Sequence, residues 1–335
     1  MRRLFVHFGQ IGDLVMLEPF LRHLAEDGPV ELLSRPWGRA LFSEGSAVTA
    51  VYTLRKPNVR RGVRLLLFGP ERRRLGEALA GRHDEVLVLS HEKPVIREWV
   101  ESFRGAARVV TVPLLPGRES SAHALRALSR NLDGFELAPR LVPTEAARAS
   151  IAARVDGLGK RVVVVHPGAS ESNRWLRRRP NLKGLPAETW AAFATRLLSE
   201  NRADHVLVTG SAPERREASA ITSRVPASLR PRVTSLAGAL SLEELVALLA
   251  RASAVATVDS GPAHLAAALG TPVLDVFGPT NPVDWAPLSR GRLEIVLGKA
   301  PCQFCFGQDL WKTCRKNVCL ETLPVEALVN AFSRL

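Results

Sequence analysis

The chain has 335 residues, which suggests two domains of ordinary size, and its 46% hydrophobic and 24% charged residues are typical of a soluble globular protein. No apolar run approaches the roughly 18–20 residues that a membrane-spanning helix needs. The net charge of +13 favours anionic partners such as nucleotides, phospholipid head groups, phosphorylated glycolipids or nucleic acid, whereas the 6% aromatic content argues against single-strand nucleic-acid binding.

The amino-terminal stretch does not fit a secretory signal peptide, because Asp13 and Glu18 interrupt the apolar segment that such a peptide needs. We therefore expect a cytoplasmic protein. Its positive charge is mostly arginine and has two interpretations, a surface for anionic ligands or a solvated surface typical of an arginine-rich proteome.

Short apolar strands alternate with amphipathic helices in the first half of the chain, which predicts a parallel sheet covered by helices. The predicted strands are 4–8, 30–34, 85–90 and 108–112, and the predicted helices are 14–25, 71–80 and 122–131. A helical, alanine- and arginine-rich segment followed by Gly157 and Gly159 marks the boundary between the two domains. The sequence thus predicts domains at 1–155 and 160–335.

The second half repeats the alternation, beginning with a run of valines that suits a strand buried on both faces. The predicted strands are 161–165, 205–209, 254–258 and 273–277, and the predicted helices are 185–199, 213–223, one from residue 242, and 262–269. The helix from Leu242 is indicated by a capping box between Ser241 and Glu244. Ligands of open parallel sheets bind beyond the carboxyl ends of the strands, so the loops after the strands are the candidate sites.

The loop after the first strand reads Gly9-Gln10-Ile11-Gly12-Asp13. Its glycines permit a tight turn and a close approach of backbone to ligand. Asp13 then lies in the first helical turn, where it could take a proton from an acceptor hydroxyl or could simply cap the helix. The segment lacks the GxGxxG fingerprint, which argues against a nicotinamide-dependent enzyme.

Two further loops supply candidate anion-binding groups. His166-Pro167-Gly168-Ala169-Ser170 follows the valine strand and leaves room for a ligand beside backbone N–H groups, although it also fits an ordinary turn. The polar segment after it contains Arg174 and Lys183, and a cation there could hold a diphosphate.

The segment 259–264, Asp-Ser-Gly-Pro-Ala-His, is the most informative. Asp259 or Ser260 can cap a helix that has Pro262 in its first turn, and the free N–H groups at such an end attract anions. His264 lies close enough to reach a phosphate or a sugar, or is a buried structural histidine. Phe277-Gly278-Pro279-Thr280 follows the next strand and is expected to close the same pocket or to form a plain turn.

All four cysteines, Cys302, Cys305, Cys314 and Cys319, lie in one short segment. Three interpretations stay open: a structural zinc site, reduced thiols or a redox pair, and an iron–sulfur cluster. The gap between the second and third cysteines is shorter than in the usual zinc ribbon.

Together, these segments resemble the ADP-heptose:lipopolysaccharide heptosyltransferases of glycosyltransferase family 9, in order and over nearly the whole chain. The resemblance rests on GxxGD, HPGAS, DSGPAHLAAALGTPV, FGPTNP and the late cysteine group. It implies an α/β chain of GT-B architecture, with two Rossmann-like domains whose parallel sheets face each other across a cleft. The first domain is expected to bind the acceptor and the second the nucleotide-sugar donor.

The resemblance also implies an inverting transfer of a heptose from ADP-heptose to a hydroxyl of the inner core, with lipid A–Kdo or a heptosylated core as acceptor. Asp13 would be the general base, with Gly9 and Gly12 in the acceptor-side loop. The donor site is expected to comprise Ser170, Arg174, Lys183, Glu214, Asp259, Ser260, Gly261, Pro262 and His264. Lys183 matches a lysine that precedes Trp-Pro in the family; here Leu185 replaces the tryptophan, which leaves Arg174 as an alternative cation.

An inverting transfer requires a proton acceptor and stabilisation of the departing diphosphate. The Asp13 carboxylate and a cation such as Lys183 or Arg174 would meet these two requirements. No Asp-x-Asp pair occurs in the candidate donor loops, so we expect no essential magnesium and no catalytic cofactor. We expect a peripheral location at the inner face of the cytoplasmic membrane, and no nucleic-acid partner. The alternatives are a nucleotide-sugar epimerase of the same architecture and a non-catalytic nucleotide or nucleic-acid binding protein.

Overall fold

A computed structural model describes residues 1–42, 46–54, 70–89, 94–112, 136–169 and 181–335. The chain divides into two compact units, Met1–Val142 and Pro143–Leu335. The division precedes the boundary expected at 155–160, because the helix Glu145–Val155 packs against the helix Leu242–Arg251 of the second unit. No helix in the described ranges combines the length and the apolar character needed to cross a bilayer.

The first unit contains a parallel sheet, which in its described part has the strand order β3-β2-β1-β4-β5. The strands are β1 Arg3–His7, β2 Val30–Ser34, β3 Ala50–Thr53, β4 Glu85–Leu89 and β5 Arg108–Val112. The helices are α1 Ile11–Glu26, α2 Trp37–Leu41, α3 Pro70–Leu79 and α4 Pro94–Phe103. The order reverses direction between β1 and β4, and such a reversal opens a ligand-binding crevice at the carboxyl ends of the strands.

The core of the first unit lies around β1, which is buried along its whole length. Trp99 and Phe103 of α4 pack against each other with ring centroids 5.0 Å apart and contact the apolar side chains of β1 and β4. The strands predicted at 4–8, 30–34, 85–90 and 108–112 are confirmed to within a residue or two. The helix predicted at 122–131 lies outside the described residues.

The second unit contains a parallel sheet with the order β8-β7-β6-β9-β10-β11 among its described strands. The strands are β6 Val162–His166, β7 His205–Val208, β8 Val233–Ser235, β9 Ala254–Val258, β10 Val273–Phe277 and β11 Leu293–Leu297. The helices are α5 Glu145–Val155, α6 Ala187–Ser199, α7 Arg215–Arg224, α8 Leu242–Arg251, α9 Gly261–Ala268, α10 Pro282–Trp285, α11 Asp309–Thr313, α12 Val318–Glu321 and α13 Val325–Phe332. This is the strand order of the Rossmann fold, with its reversal between β6 and β9.

Helices on both faces of this sheet explain the continuous apolar sequence of its central strands. Val163 and Val165 face a core that includes Trp190 and Phe193 of α6, and Phe193 in turn contacts Phe332 of α13 with centroids 5.6 Å apart. All five residues of β6 and of β9 are buried. The central strands are therefore rigid, and they position the loops at their carboxyl ends.

Candidate functional site

The loop from β9 into α9 lies directly at the reversal of strand order in the second unit. Ser260 is the N-cap residue of α9 and Pro262 lies in its first turn, as predicted. The Ser260 side chain does not cap the helix; its hydroxyl lies 3.0 Å from the Thr257 hydroxyl instead. The prediction that Asp259 or Ser260 caps the helix through its side chain is thus wrong for Ser260, because Thr257 engages that hydroxyl.

Lys183 and Asp259 form a buried ion pair at this position. Lys183 Nζ donates to Asp259 Oδ2 at 2.7 Å, and the two side chains are 12% and 7% exposed. The structure therefore brings together the cation and the carboxylate that the sequence assigned to one donor site. Ser170 and Arg174, the other predicted members of this loop, lie outside the described residues.

The backbone around Lys183 is held by an asparagine that the sequence analysis missed. The Asn317 side-chain amide, nearly fully buried, donates to the carbonyl of Asn181 at 3.0 Å and to that of Gly184 at 2.7 Å. These contacts fix the turn that carries Lys183 into the start of α6. Because Asn317 belongs to the late cysteine segment, that segment helps to hold the backbone around Lys183 in place.

His264 lies in the first turn of α9, and its side chain is buried. Gly261 is the first residue of the helix, directly after Ser260. The helix is therefore as the sequence predicts in position and content, with Asp259, Ser260, Gly261, Pro262 and His264 all within one turn of its amino terminus.

A second group of predicted residues lies at the carboxyl ends of β6 and β7. A Cβ atom on Gly168 would come within 1.9 Å of Glu214 Oε1, so only a glycine permits the contact between these two loops. Glu214 Oε2 accepts hydrogen bonds from the Ser211 backbone N–H at 2.6 Å and from its hydroxyl at 2.7 Å. The carboxylate of Glu214 is consequently held in place beside the HPGAS segment.

His166 and Glu217 complete this group. His166 Nδ1 lies 3.0 Å from the Thr209 hydroxyl, and burial lowers the pKa of the imidazole, while the charge of Glu214 opposes that shift. Burial, with a smaller contribution from the charge of Glu214, raises the pKa of Glu217 to about 7. Glu217 and Glu214 thus lie close enough together at the end of β7 for their charges to interact.

Asp275, in the middle of β10, is a buried carboxyl that sequence reasoning missed. Its side chain is fully buried, and within the described chain neither of its oxygens has a side-chain hydrogen-bond partner. Burial raises the pKa of Asp275 well above its ordinary value and the charge of Asp259 adds to this, while Lys183 and the Val276 amide act in the opposite direction. An aspartate within an otherwise apolar strand was the signal that could have identified it.

The Phe277–Thr280 loop and the cysteine segment pack together beside this site. The Phe306 N–H donates to the Pro279 carbonyl at 2.9 Å, and a Cβ on Gly278 would meet Cys319 Sγ at 3.1 Å. The Phe306 ring lies against Lys183, with Nζ 4.8 Å from the ring centroid. The loop therefore borders the same site, as the sequence predicts.

No disulfide joins any of the four cysteines, Cys302, Cys305, Cys314 and Cys319. Burial raises the pKa of Cys319 to about 11, so that this thiol is protonated at neutral pH. Within the described ranges no cluster of three or more histidine, cysteine, aspartate or glutamate side chains is arranged to hold a metal ion. The four thiols nevertheless lie close enough to influence one another electrostatically, and a structural zinc site formed by Cys302, Cys305, Cys314 and Cys319 stays a prediction.

In the first unit, Asp13 lies in the first turn of α1. The Gln10 N–H donates to Asp13 Oδ2 at 2.7 Å, so the carboxylate caps the helix. A Cβ atom on Gly9 would lie 2.1 Å from His7 Nε2 and 2.7 Å from the Asp13 Cβ, so that glycine lets the turn close between the two side chains. His7 is a buried neighbour that the sequence analysis missed, and Gly12 is buried behind the turn.

Comparison with known proteins agrees with this architecture. The chain is 29% identical over 161 residues to lipopolysaccharide heptosyltransferase 3 of Escherichia coli, a match that covers 43% of this chain and about half (46%) of that protein. It is 26% identical over 313 residues to lipooligosaccharide heptosyltransferase 2 of Haemophilus influenzae, covering 83% of this chain and 84% of that one.

Among solved structures, the chain matches the ADP-heptose lps heptosyltransferase II of E. coli with a TM-score of 0.77 and 19% identity, over 100% of this chain and 98% of that one. This match shows the GT-B fold, in which each of the two units is a Rossmann-like domain. A model of the family described as "Glycosyltransferase family 9 (heptosyltransferase)" matches residues 99–314, well over half of the sequence. The chain belongs to glycosyltransferase family 9.

Proposed function

We propose that this protein transfers a heptose from ADP-L-glycero-D-manno-heptose to a hydroxyl of the lipopolysaccharide inner core, with inversion at the anomeric carbon. The observation that carries the proposal is the Lys183–Asp259 pair beside the amino terminus of α9, at the strand reversal of a family 9 chain. The relatives from H. influenzae and E. coli, which are heptosyltransferases of lipooligosaccharide and lipopolysaccharide by name, support the choice of sugar and acceptor.

The second unit is proposed to bind the donor. The backbone N–H groups in the first turn of α9 and the Lys183 ammonium offer positive charge for a diphosphate. As the glycosidic bond to the diphosphate breaks, negative charge develops on the leaving oxygens, and these fixed groups stabilise it without rearranging. Glu214 and the HPGAS segment, including Ser170, are proposed to contact the nucleoside, and His264 the phosphate or sugar.

The first unit is proposed to bind the acceptor and to supply the base. Asp13 is half-buried, so part of its side chain remains exposed for an acceptor hydroxyl to approach. The carboxylate would accept the hydroxyl proton as the oxygen attacks the anomeric carbon from the face opposite the diphosphate. The bond to the acceptor oxygen forms, the bond to the diphosphate breaks, and ADP leaves.

No metal takes part in the proposed reaction. Lys183 and the helix terminus supply the positive charge that a divalent cation provides in other transferases. We further propose that the protein works at the inner face of the cytoplasmic membrane, since its net charge of +13 suits an anionic lipid surface and a phosphorylated glycolipid acceptor.

The decisive experiment compares Asp13→Asn with Asp13→Ala in an assay for ADP release from ADP-heptose with a lipid A–Kdo or heptosylated acceptor, with and without EDTA. Asparagine retains an oxygen that can accept from the Gln10 N–H, whereas alanine removes the cap, worth about 1 kcal/mol. If Asp13 is the base, both variants lose kcat by at least about a hundredfold and still bind ADP-heptose.

Three results would contradict the proposal. Full activity in Asp13→Asn would show that the carboxylate is only a cap. Turnover of ADP-heptose without any acceptor would indicate an epimerase, and loss of activity with EDTA would show that a metal is required.

A further inference from the structure

Three aromatic side chains form a partly exposed group beside Lys183. The ring centroids of Trp285 and Phe306 lie 5.7 Å apart and those of Phe306 and Trp311 lie 5.0 Å apart, in edge-to-face geometry. Lys183 Nζ lies 4.8 Å from the Phe306 centroid and 6.0 Å from that of Trp285. We call Trp285, Phe306 and Trp311 the aromatic group.

The aromatic group is assembled from separate short segments, and hydrogen bonds hold the backbone near Trp285 and at Phe306. Trp285 ends α10, whose start is capped by the Asn281 side chain accepting from the Val283 N–H at 3.0 Å. Phe306 is anchored through its N–H to the Pro279 carbonyl. None of the three rings is fully buried, although aromatic residues usually bury most of their surface. Rings that are held in place and yet remain accessible are typical of ligand-binding surfaces.

The order of the strands places this group on one side of the Lys183–Asp259 pair. Asp259 follows β9, and Glu214 follows β7, two strands away in one direction. The segments that carry the aromatic group follow β10 and β11, in the other direction. Neighbouring strands are about 4.8 Å apart. Along the edge of the sheet, the spatial order is therefore the Glu214 carboxylate, then the Lys183–Asp259 pair, then the aromatic group.

A nucleotide sugar has the same linear order: nucleoside, diphosphate, sugar. If the nucleoside contacts Glu214 and the diphosphate lies at Lys183 and the start of α9, the sugar falls on the side of the aromatic group. The C–H faces of a pyranose ring are apolar and pack on aromatic rings, while its hydroxyls remain free for polar partners.

We propose that the aromatic group is the subsite for the sugar of the donor and that it contributes to the choice of donor sugar. The inference rests on the proposed function, since it takes a nucleotide-diphosphate sugar as the ligand. It assigns Trp285, Phe306 and Trp311 to sugar binding, with Trp311 farthest from Lys183 in the chain of ring contacts.

The test measures binding of ADP and of ADP-heptose to the full-length protein by calorimetry, for Trp311→Ala, Trp311→Phe and Phe306→Leu. Loss of a ring contact is worth up to about 1.5 kcal/mol, so Trp311→Ala should weaken ADP-heptose binding roughly tenfold while ADP binding stays within about twofold. Trp311→Phe should restore most of the affinity. Trp37→Ala, which removes a half-exposed tryptophan from the first unit, is the matched control and should change neither value.

Equal weakening of ADP and ADP-heptose would show that the group holds the nucleotide and would overturn the proposal, as would unchanged affinity for both. The thermal midpoint of each variant identifies any general loss of folding, and Phe306→Leu, which conserves an apolar side chain, gives a second independent measurement. A wild-type protein that does not bind ADP-heptose would instead contradict the donor assignment of the proposed function. In that case, the same ring variants are compared for binding of the nucleotide sugar that the protein does bind and of the corresponding free nucleotide.

Discussion

Lys183 and Asp259 are 76 positions apart in the sequence, yet their side chains meet at 2.7 Å at the carboxyl end of β9. A second carboxyl group, Asp275, interacts electrostatically with both of them from within β10. The ammonium group that pairs with Asp259 thus also lies within electrostatic range of Asp275. An incoming diphosphate would compete for the same cation, which makes the local charge balance a determinant of donor affinity.

We expect Lys183→Met to weaken donor binding at least tenfold and to lower the free energy of unfolding by about 3 kcal/mol, because it leaves the buried Asp259 carboxylate without its partner. Calorimetric titration with ADP-heptose and urea denaturation measure the two effects. Lys160→Met is the control, since that side chain is exposed, and it should leave both quantities unchanged. Unaltered donor affinity in Lys183→Met would indicate that another cation, such as Arg174, binds the diphosphate.

Gly168→Ala should displace Glu214, because the new methyl group would lie 1.9 Å from Glu214 Oε1. We expect a loss of stability of about 1–3 kcal/mol from overpacking, together with a severalfold rise in the KM for the donor. Gly76→Ala is the control: its Cβ would meet Phe103 at an ordinary 3.4 Å, and alanine favours the helix in which it lies. A Gly168→Ala protein with wild-type stability and KM would show that the contact can relax at no cost.

The central strands and the loops that follow them were predictable from the sequence, because the spacing of apolar residues and the residue types in turns are local properties. The buried valines of β6, the capping box at Ser241 and the proline in the first turn of α9 each act within a few residues. By contrast, β3 was not among the predicted strands. It is only half-buried along its length, so its apolar pattern is weak. The two units divide at Val142–Pro143, ahead of the predicted limits of 155 and 160, because the packing of α5 on α8 is a tertiary contact that no local pattern reports.

The candidate site was predictable only in part, for the same reason. Lys183 and Asp259 were identified individually by their motifs, whereas their direct contact depends on the fold. Asn317 and Phe306 reach the site from the cysteine segment, more than a hundred positions after Lys183, and neither belongs to a recognisable motif. Ser260 does not cap α9 with its side chain because the hydroxyl of Thr257, three residues earlier in β9, engages the Ser260 hydroxyl.

Glu217 should make stability depend on pH near neutrality. Its pKa of about 7 in the folded protein lies above the ordinary value of 4.5, so the folded state binds the proton more tightly than the unfolded state. This contribution is fully present below about pH 4.5 and is lost as the pH rises towards 7. Glu217→Gln should therefore come closest to the wild type at pH 5 and exceed its unfolding free energy at pH 8 by on the order of 1 kcal/mol.

The measurement for Glu217 is urea denaturation at pH 5, 6, 7 and 8. Glu321→Gln, at an exposed position of α12, is the control and should run parallel to the wild type. A constant difference between Glu217→Gln and the wild type at all four pH values would show that the carboxyl does not titrate in this range.

Asp275 should also make stability depend on pH, and more strongly than Glu217. Its side chain is fully buried, and its carboxyl has no side-chain hydrogen-bond partner among the described residues. Its raised pKa means that the folded state favours the neutral acid, so its contribution to stability is lost as the pH rises above the ordinary value of 3.8. Asp275→Asn is neutral at every pH and nearly isosteric. We expect Asp275→Asn to have a higher midpoint of thermal unfolding than the wild type at pH 8. The difference between the two midpoints should be smaller at pH 5.

Asp275→Asn also separates two effects on the donor site. If an ionised Asp275 draws Lys183 away from the diphosphate, the KM for ADP-heptose in the wild type should rise with pH, while that of Asp275→Asn stays flat. A rise of equal size in both proteins would assign the pH dependence to another group. A variant that is less stable than the wild type at pH 8 would show that the buried carboxyl is satisfied in a way that asparagine cannot reproduce, and that Lys183 already compensates its charge.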